Sequence, residues 1–353
     1  MNTTEAPRRV AIAACLSLFC ALGVGAQSVS PKVDGIGKAD YPHSFNPLFP
    51  RALSFAVASE LAAASASVSD GSAPPSLVTV EPAPAPDSPI PDPDRLQSVL
   101  LNNDVFALYG KPGARTMGIL GQYSLEAIGP VMDDFVRRYD AANGQRGIIP
   151  SFYIIYGTCW PEGEIGILQE RVVKEYIEYA AERGWYVYLD HQIGKYSVES
   201  AMQKLLPWLK YPNVHLALDP EWRTTKPMQE IGSVTAEELN RAQTMMQDYL
   251  VEHRLGGRRM LVVHQFKPKM ILNRDAVRSD FELVQLIHCA DGFGSPTLKR
   301  STYALNAQAK NIPLKSFKLF LKPTIEGAGW DQPLMSPEDV FALEPRPYLI
   351  MYQ

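Results

Sequence analysis

Asp219-Pro220-Glu221 sets two carboxylates two positions apart at the end of an apolar run, VHLALD at 214–219. Read as a strand, the run alternates. Leu216 and Leu218 point one way, and Ala217, Asp219 and Glu221 point the other if regular geometry carries through Pro220. Residues two apart on a strand stand about 6.6 Å apart, near enough for one acid to hold the other protonated. A carboxyl group that keeps its proton at neutral pH is what general-acid chemistry needs. Trp222 follows directly, with an apolar face and one donor at its edge, a surface that suits a sugar ring. An isolated Asp-Pro-Glu also serves simply to cap a backbone and begin a loop. The reading turns towards chemistry because other runs end in the same way, on Tyr109, on Asp190 and Gln192, on His264 and Gln265, on Asp291, on Lys318 and on Tyr352. Several acids buried in one place are costly without a purpose.

The candidate catalytic groups are therefore Glu221 and Asp219, with Asp190 or Asp291 as the second carboxylate. Tyr109, Gln192, Trp222, His264, Gln265, Lys318 and Tyr352 are the candidate substrate-binding groups. Lys318, inside the apolar run FKLFLK, is read either as an ion-pair partner for the acids or as a side chain reaching to the surface. His264 is either a hydrogen-bonded core histidine or part of the site. His191, next to Asp190, is expected to face away from it, and Asp291-Gly-Phe-Gly294 is expected to form a turn. The tyrosines and tryptophans at 152–160 and 185–188 are expected in the core, with Trp160 the most exposed of them.

These groups need a scaffold that brings eight chain segments together. From Val105 onward the chain repeats a short apolar run, a polar loop and a segment of helical periodicity. The runs are VFALY at 105–109, IIPSFYIIY at 148–156, WYVYLD at 185–190, VHLALD at 214–219, MLVVHQF at 260–266, LVQLIHCAD at 283–291, FKLFL at 317–321 and YLIMYQ at 348–353. Alternating strands and helices imply parallel pairing. Eight units in about 250 residues match a closed (βα)8 TIM barrel, whose chemistry gathers at the C-terminal strand ends. Thr235-Ala-Glu-Glu238 fits a capping box, and Ser336-Pro337-Glu338-Asp339 has the order of an N-cap, a first-turn proline and first-turn acids. Leu168, Val172, Tyr176 and Tyr179 share one face of the second helix, opposite Glu170, Lys174 and Glu178. The sequence runs to Gln353 on the eighth run, so the barrel is expected to lack a C-terminal eighth helix. Arg51–Ala66 or Leu96–Leu101 is expected to cover that last strand.

Upstream of the barrel the composition changes. Residues 1–26 read as a secretory signal peptide, with Arg8 and Arg9, an apolar run from Val10 to Gly23, and Val24-Gly25-Ala26 as a small-residue cleavage site. Residues 27–94 read as a low-complexity linker, Pro-rich towards its end, with the Ala-rich stretch 51–66 a short helix, a packing strap or disordered chain. The barrel domain is assigned to 95–353. Signal cleavage leaves Cys159 and Cys289, either one disulfide or two buried thiols. A formal net charge of -4 leaves no footprint for nucleic acid or an anionic membrane. No Gly-rich phosphate cradle appears, the loops after the seventh and eighth runs lack the glycine pair of a barrel phosphate site, and no metal-binding His-x-His opens the first run, so neither cofactor nor resident metal is expected. The expected product is a secreted, periplasmic or envelope-located monomer with no membrane span once the signal is removed.

LDHQ at 189–192, ALDPEW at 217–222, VVHQF at 262–266, DGFG at 291–294, FKLF at 317–320 and the terminal YQ together resemble a group of secreted bacterial TIM-barrel proteins of uncharacterised activity. The similarity spans about residues 103–353 and implies a barrel related to glycoside hydrolases. More distantly, Asp219-Pro-Glu221 is similar to the strand-four Asp-x-Glu of family 18 chitinase-type hydrolases, in which the Glu is the proton donor. The earlier aspartates of that family's motif are replaced by His215 and Ala217, which puts assistance from a substrate N-acetyl group in doubt. Three readings follow. The first is a glycosidase of a polysaccharide or cell-envelope glycan, and the second is a glycan-binding or scaffold barrel without chemistry. The third is a metal-dependent hydrolase using His264, His288, Asp219 and Asp291.

Overall fold

The computed structural model describes residues 98–324 and 328–353. The expected signal at 1–26, the linker at 27–94 and the Arg51–Ala66 segment lie outside these residues. Eight parallel strands close into a barrel: β1 (Asn103–Gly110), β2 (Gly147–Cys159), β3 (Tyr186–Gln192), β4 (Val214–Asp219), β5 (Arg259–Gln265), β6 (Val284–Ala290), β7 (Leu314–Leu319) and β8 (Leu349–Tyr352). Every run read from the sequence is one of these strands. β1 pairs with both β2 and β8, which removes the sheet's edges. Period-two alternation divides the core in two. Phe106, Leu108, Leu216, Leu218, Phe317 and Ile350 face an outer layer under the helices, while Val105, Ala107, Ala217, Val262, Ile287 and Met351 fill the interior.

The covering helices are α1 (Leu125–Asp140), α2 (Glu170–Glu182), α3 (Val198–Leu205), α4 (Ala236–Glu252), α5 (Pro296–Ala307) and the short α6 (Pro337–Phe341). α4 begins with the capping box of Thr235 and Glu238, and Ser336 caps α6 by accepting the Asp339 N–H. The repeat fails at one place, because no helix joins β5 to β6. Pro268 removes an amide there and Asn273 takes left-handed backbone, so the crossover breaks into two single turns and a two-residue strand, Ile271–Leu272, paired with Val234–Thr235.

Among the described residues, α1 and α6 cover the eighth strand, not the Leu96–Leu101 run. Ile350 and Tyr352 pack beneath α1 and α6, with the Tyr352 ring 4.8 Å from Phe135 and its hydroxyl 2.8 Å from that of Tyr139. The described part of the Leu96–Leu101 run instead turns under the barrel, where Leu100 joins the interior cluster beside Val105 and Leu349.

That end is stapled by Arg146. Its guanidinium meets the buried Asp104 at 2.9 Å and donates to the carbonyls of Leu100 (2.7 Å), Leu101 (2.9 Å) and Asn103 (2.7 Å). Arg346 of the β7–β8 connection takes the other Asp104 oxygen at 2.7 Å, so one carboxylate ties β1 to segments adjoining both its neighbours. Arg146→Ala leaves Asp104 with a single cation and exposes three carbonyls. It is expected to cost about 3 kcal/mol in urea unfolding, whereas a loss below about 0.5 kcal/mol would make the staple decorative.

Candidate active site

The same alternation delivers polar groups to the C-terminal end of the barrel interior. Tyr109 from β1 lies in register with Tyr153 from β2, and Gln192 from β3 with Asp219 from β4. His264 comes from β5, Asp291 from the residue after β6, and Lys318 from β7. They form one connected cluster. Tyr109 donates to Asp190 Oδ2 at 2.8 Å, the Tyr153 hydroxyl lies 2.7 Å from His264 Nε2, and His264 Nδ1 lies 2.8 Å from Asp291 Oδ2. Lys318 Nζ donates to that same Asp291 oxygen at 3.1 Å and sits 4.0 Å from the centre of the Tyr109 ring. The Gly292 amide satisfies Asp291 Oδ1 at 2.7 Å. Asp190 Oδ1 is buried with no hydrogen-bond partner among the described residues.

This cluster is closed over. Asp190, Asp219, His264, Asp291 and Lys318 are each between 0% and 3% exposed. Glu221 differs. It leaves the strand on a single helical turn, Pro220–Trp222, and is half-buried at the rim, with its amide donating to Asp219 Oδ1 at 3.3 Å. The lower acid therefore fixes the backbone that carries the upper one.

The electrostatics separate the acids into two kinds. Burial pushes Asp219 up to about 7, with Asp190 and Asp291 adding repulsion, while His264 and Lys318 oppose the rise. Burial, then Asp219 and Asp291, push Glu221 up to about 8, so it carries a proton at neutral pH. Burial is also the largest cause of the raised Asp190 pKa. For Asp291 burial works in the same direction, but Lys318 and His264 outweigh it and hold the carboxyl well below the usual range. Burial opposes the charges on His264 and Lys318. Cys289, Asp291 and Asp190 nevertheless raise His264, and Asp291 and Asp219 raise Lys318.

The two raised acids carry a stability cost with a definite sign. A group whose folded pKa lies above its unfolded value stabilises fully below the unfolded value and loses that contribution as pH rises to the folded one. The thermal midpoint is therefore expected to fall between pH about 4 and about 8 on account of Asp219 and Glu221. Asp219→Asn should flatten this fall and raise the midpoint at pH 8. An unchanged pH profile in differential scanning calorimetry would show that the carboxyl does not titrate as described.

Seven of the residues singled out in the sequence come together here: Tyr109, Asp190, Asp219, Glu221, His264, Asp291 and Lys318. Gln192 reaches the same end, but its Oε1 is used by the Cys159 amide at 2.7 Å, and Trp222 is only 9% exposed. Two expectations are corrected. Gln265 follows His264 and so faces outward, where its side chain meets His288 at 2.8 Å and Arg274 at 3.1 Å under the helix-free crossover. Tyr352 belongs to the outer aromatic layer described above, not to the mouth. His191 faces outward beside Tyr156 as expected, and Cys159 and Cys289 are separate buried thiols.

Two contributors escaped the sequence reading. Tyr153 falls among the residues expected in the core, yet its place two residues beyond Ser151 on the inward face aims its hydroxyl at His264. Lys299 of α5 is buried, donates to the Gly292 carbonyl at 2.7 Å and to that of Lys318, and pairs with Asp331 at 3.5 Å. Asp331 in turn accepts the amides of Gly294 and Phe320, each at 2.9 Å. This latch holds the turn after Asp291 against the end of β7, and it joins residues too distant in sequence to leave a motif.

The same atoms bear on metal ligation. Asp219, His264 and Asp291 each place one donor atom within 4.8 Å of the others, but His288 lies on the opposite face of the sheet. Asp291 Oδ2 already accepts from His264 and Lys318, so a cation there would have to strip the imidazole proton and displace an ammonium. The donor set as arranged does not fit a resident ion.

No protein-family model and no curated protein sequence matches the chain. Among solved structures, an oxaloacetate acetylhydrolase in complex with oxalate aligns over 71% of this chain and 75% of its own, at 12% identity and a TM-score of 0.41. A group II chitinase catalytic domain from Ostrinia furnacalis aligns over 65% and 69%, at 12% identity and a TM-score of 0.37. A family 18 chitinase from Crocus vernus aligns over 70% and 92%, at 9% identity and a TM-score of 0.37. At these scores the neighbours carry no chemistry to this chain. The barrel stands on its own strand pairing.

Proposed function

We propose that this chain is an exported glycoside hydrolase-like enzyme that cleaves a polysaccharide or cell-envelope glycan by carboxylate acid/base catalysis, with Glu221 as the general acid. The observation that carries the reading is the rim position of Glu221. It is the one carboxyl of the group that is half-buried rather than sealed, and burial beside Asp219 keeps its proton on at neutral pH. In this scheme Glu221 gives its proton to the glycosidic oxygen as the bond from that oxygen to the anomeric carbon breaks, and that carbon takes its new bond either from a water deprotonated by the second carboxylate or from that carboxylate itself, which water then displaces. Asp219 beneath it positions and tunes it. Asp190, with Oδ1 unpartnered and its pKa raised, suits the base or nucleophile better than Asp291, whose oxygens already accept from three donors. Export rests on the signal-like residues 1–26, and no helix among the described residues is long and apolar enough to cross a membrane.

The sealed cluster favours a second reading, a glycan-binding barrel that has kept the acids as internal ion pairs. A digestion screen over purified polysaccharides with wild type and Glu221→Gln separates the two. Hydrolysis that disappears in the variant supports the enzyme, and wild-type binding without any hydrolysis supports the binder.

A further inference from the structure

Beside Glu221, on the same face of the barrel, lies a cleft of about 440 Å³ that the chemistry above does not use. Lys195 and Tyr196 of the β3–α3 loop form one side, and Arg223, Thr225, Glu230 and Ser233 of the β4–α4 loop form the other. The cleft hangs from the backbone of the acid itself. Gly232 N–H donates to the Glu221 carbonyl at 2.7 Å, and Gly194 N–H donates to the Trp222 carbonyl at 2.9 Å. Both glycines are required by close approach, since a Cβ on Gly232 would lie 2.4 Å from the Arg223 carbonyl oxygen and one on Gly194 2.2 Å from that of Gly163.

The lining decides what fits. Each of its charged side chains is already matched: Arg223 with Glu238 at 2.6 Å, Glu230 with Lys226 at 3.0 Å, and Lys195 with Glu164. Tyr196 donates to the other Glu164 oxygen at 2.6 Å and leaves its ring half-exposed. A charged ligand finds no unmatched charge among these pairs. Hydroxyl groups can add to these paired carboxylates and ammonium groups through their remaining lone pairs and N–H bonds, and the half-exposed Tyr196 ring, with Lys195 Nζ and Lys204 Nζ 5.7 and 5.3 Å from its centre, adds carbon surface beside them. The cleft is open to solvent, a shape that grips one side of a sugar unit rather than enclosing it.

We propose that this cleft is a binding subsite for an uncharged sugar unit of the glycan whose scissile bond is presented to Glu221. The inference rests on the glycan reading above and adds where the chain is gripped and what charge it carries. The test is isothermal titration of the full chain, in the Glu221→Gln background, against hexasaccharides of β-1,4-linked glucose, mannose or N-acetylglucosamine and against oligogalacturonate of the same length. At least one neutral oligosaccharide should bind. Thr225→Trp, a change at an exposed position that fills the cleft, and Tyr196→Ala should each raise its Kd about tenfold or more. Binding that neither substitution alters, or a preference for oligogalacturonate, overturns the subsite and leaves the hydrolase reading standing. Cleft-dependent binding by a protein whose wild type hydrolyses nothing keeps the subsite and removes the hydrolase. If none of these sugars is bound or cleaved, both fall.

Discussion

Glu221→Gln should lower turnover of a responsive glycan by about 10²–10⁴-fold, the usual contribution of a positioned general acid. The amide keeps the size and most of the hydrogen bonding of the acid, so the loss should appear in kcat with KM little changed. The pH dependence supplies an independent check. A general acid must be protonated to act, and Glu221 is pushed up to about 8, so wild-type activity should hold through neutrality and fall as pH rises past about 8. At the other end, activity should rise as Asp190 loses its proton, at a pH above the ordinary carboxylate range because burial raises it. A variant that retains full turnover would remove Glu221 from the chemistry. An alkaline limb that persists unchanged in an active Asp219→Asn protein would remove Asp219 as its tuner.

The second large effect falls on stability. Lys318→Met takes one of two cations from Asp291 in a region at most 4% exposed and leaves a buried carboxylate held by His264 and the Gly292 amide. Breaking one side of a buried pair costs about 3–5 kcal/mol, which in a domain of this size lowers the thermal midpoint by on the order of 10 °C. Asp291 has a depressed folded pKa, so its contribution is present above the unfolded value of 3.8 and lost as pH falls through the lower folded value. With Lys318 gone the depression shrinks, and acid unfolding should begin at a higher pH. The double variant Lys318→Met/Asp291→Asn should cost less than the two single losses added together, because each single change strands a charge that the double change removes. Strict additivity in denaturant melts would show that the pair is not coupled.

Much of the fold was legible because it depends on local pattern. All eight barrel strands could be read from apolar runs, since an apolar side chain at every second position, or on both faces of a buried strand, leaves a signal within six or seven residues. The caps at Thr235 and Ser336 were readable for the same reason, as each depends on side chains three residues apart. The helix-free crossover between β5 and β6 was missed because the repeat of the other units was carried across Pro268 and Asn273. The site was legible where strand alternation could be applied strictly. It assigned Asp190 inward and His191 outward, and Asp219 inward with Leu218 outward. It failed where two adjacent polar residues, His264 and Gln265, were both given to the mouth, although neighbours on a strand must face opposite ways.

By itself the sequence determined a parallel eight-stranded barrel and which end of each strand carries its polar residues, because these follow from periods of two and from the order of strands and helices. Tertiary structure alone decided that Asp291 is neutralised by Lys318 and His264, that Tyr153 and the Lys299–Asp331 pair support the cluster, and that only Glu221 of the acids stands at the rim. Those relations join residues from 27 to more than 100 positions apart. A carboxyl's proton depends on the charges and the solvent around it in space, and neither is written into its neighbours along the chain.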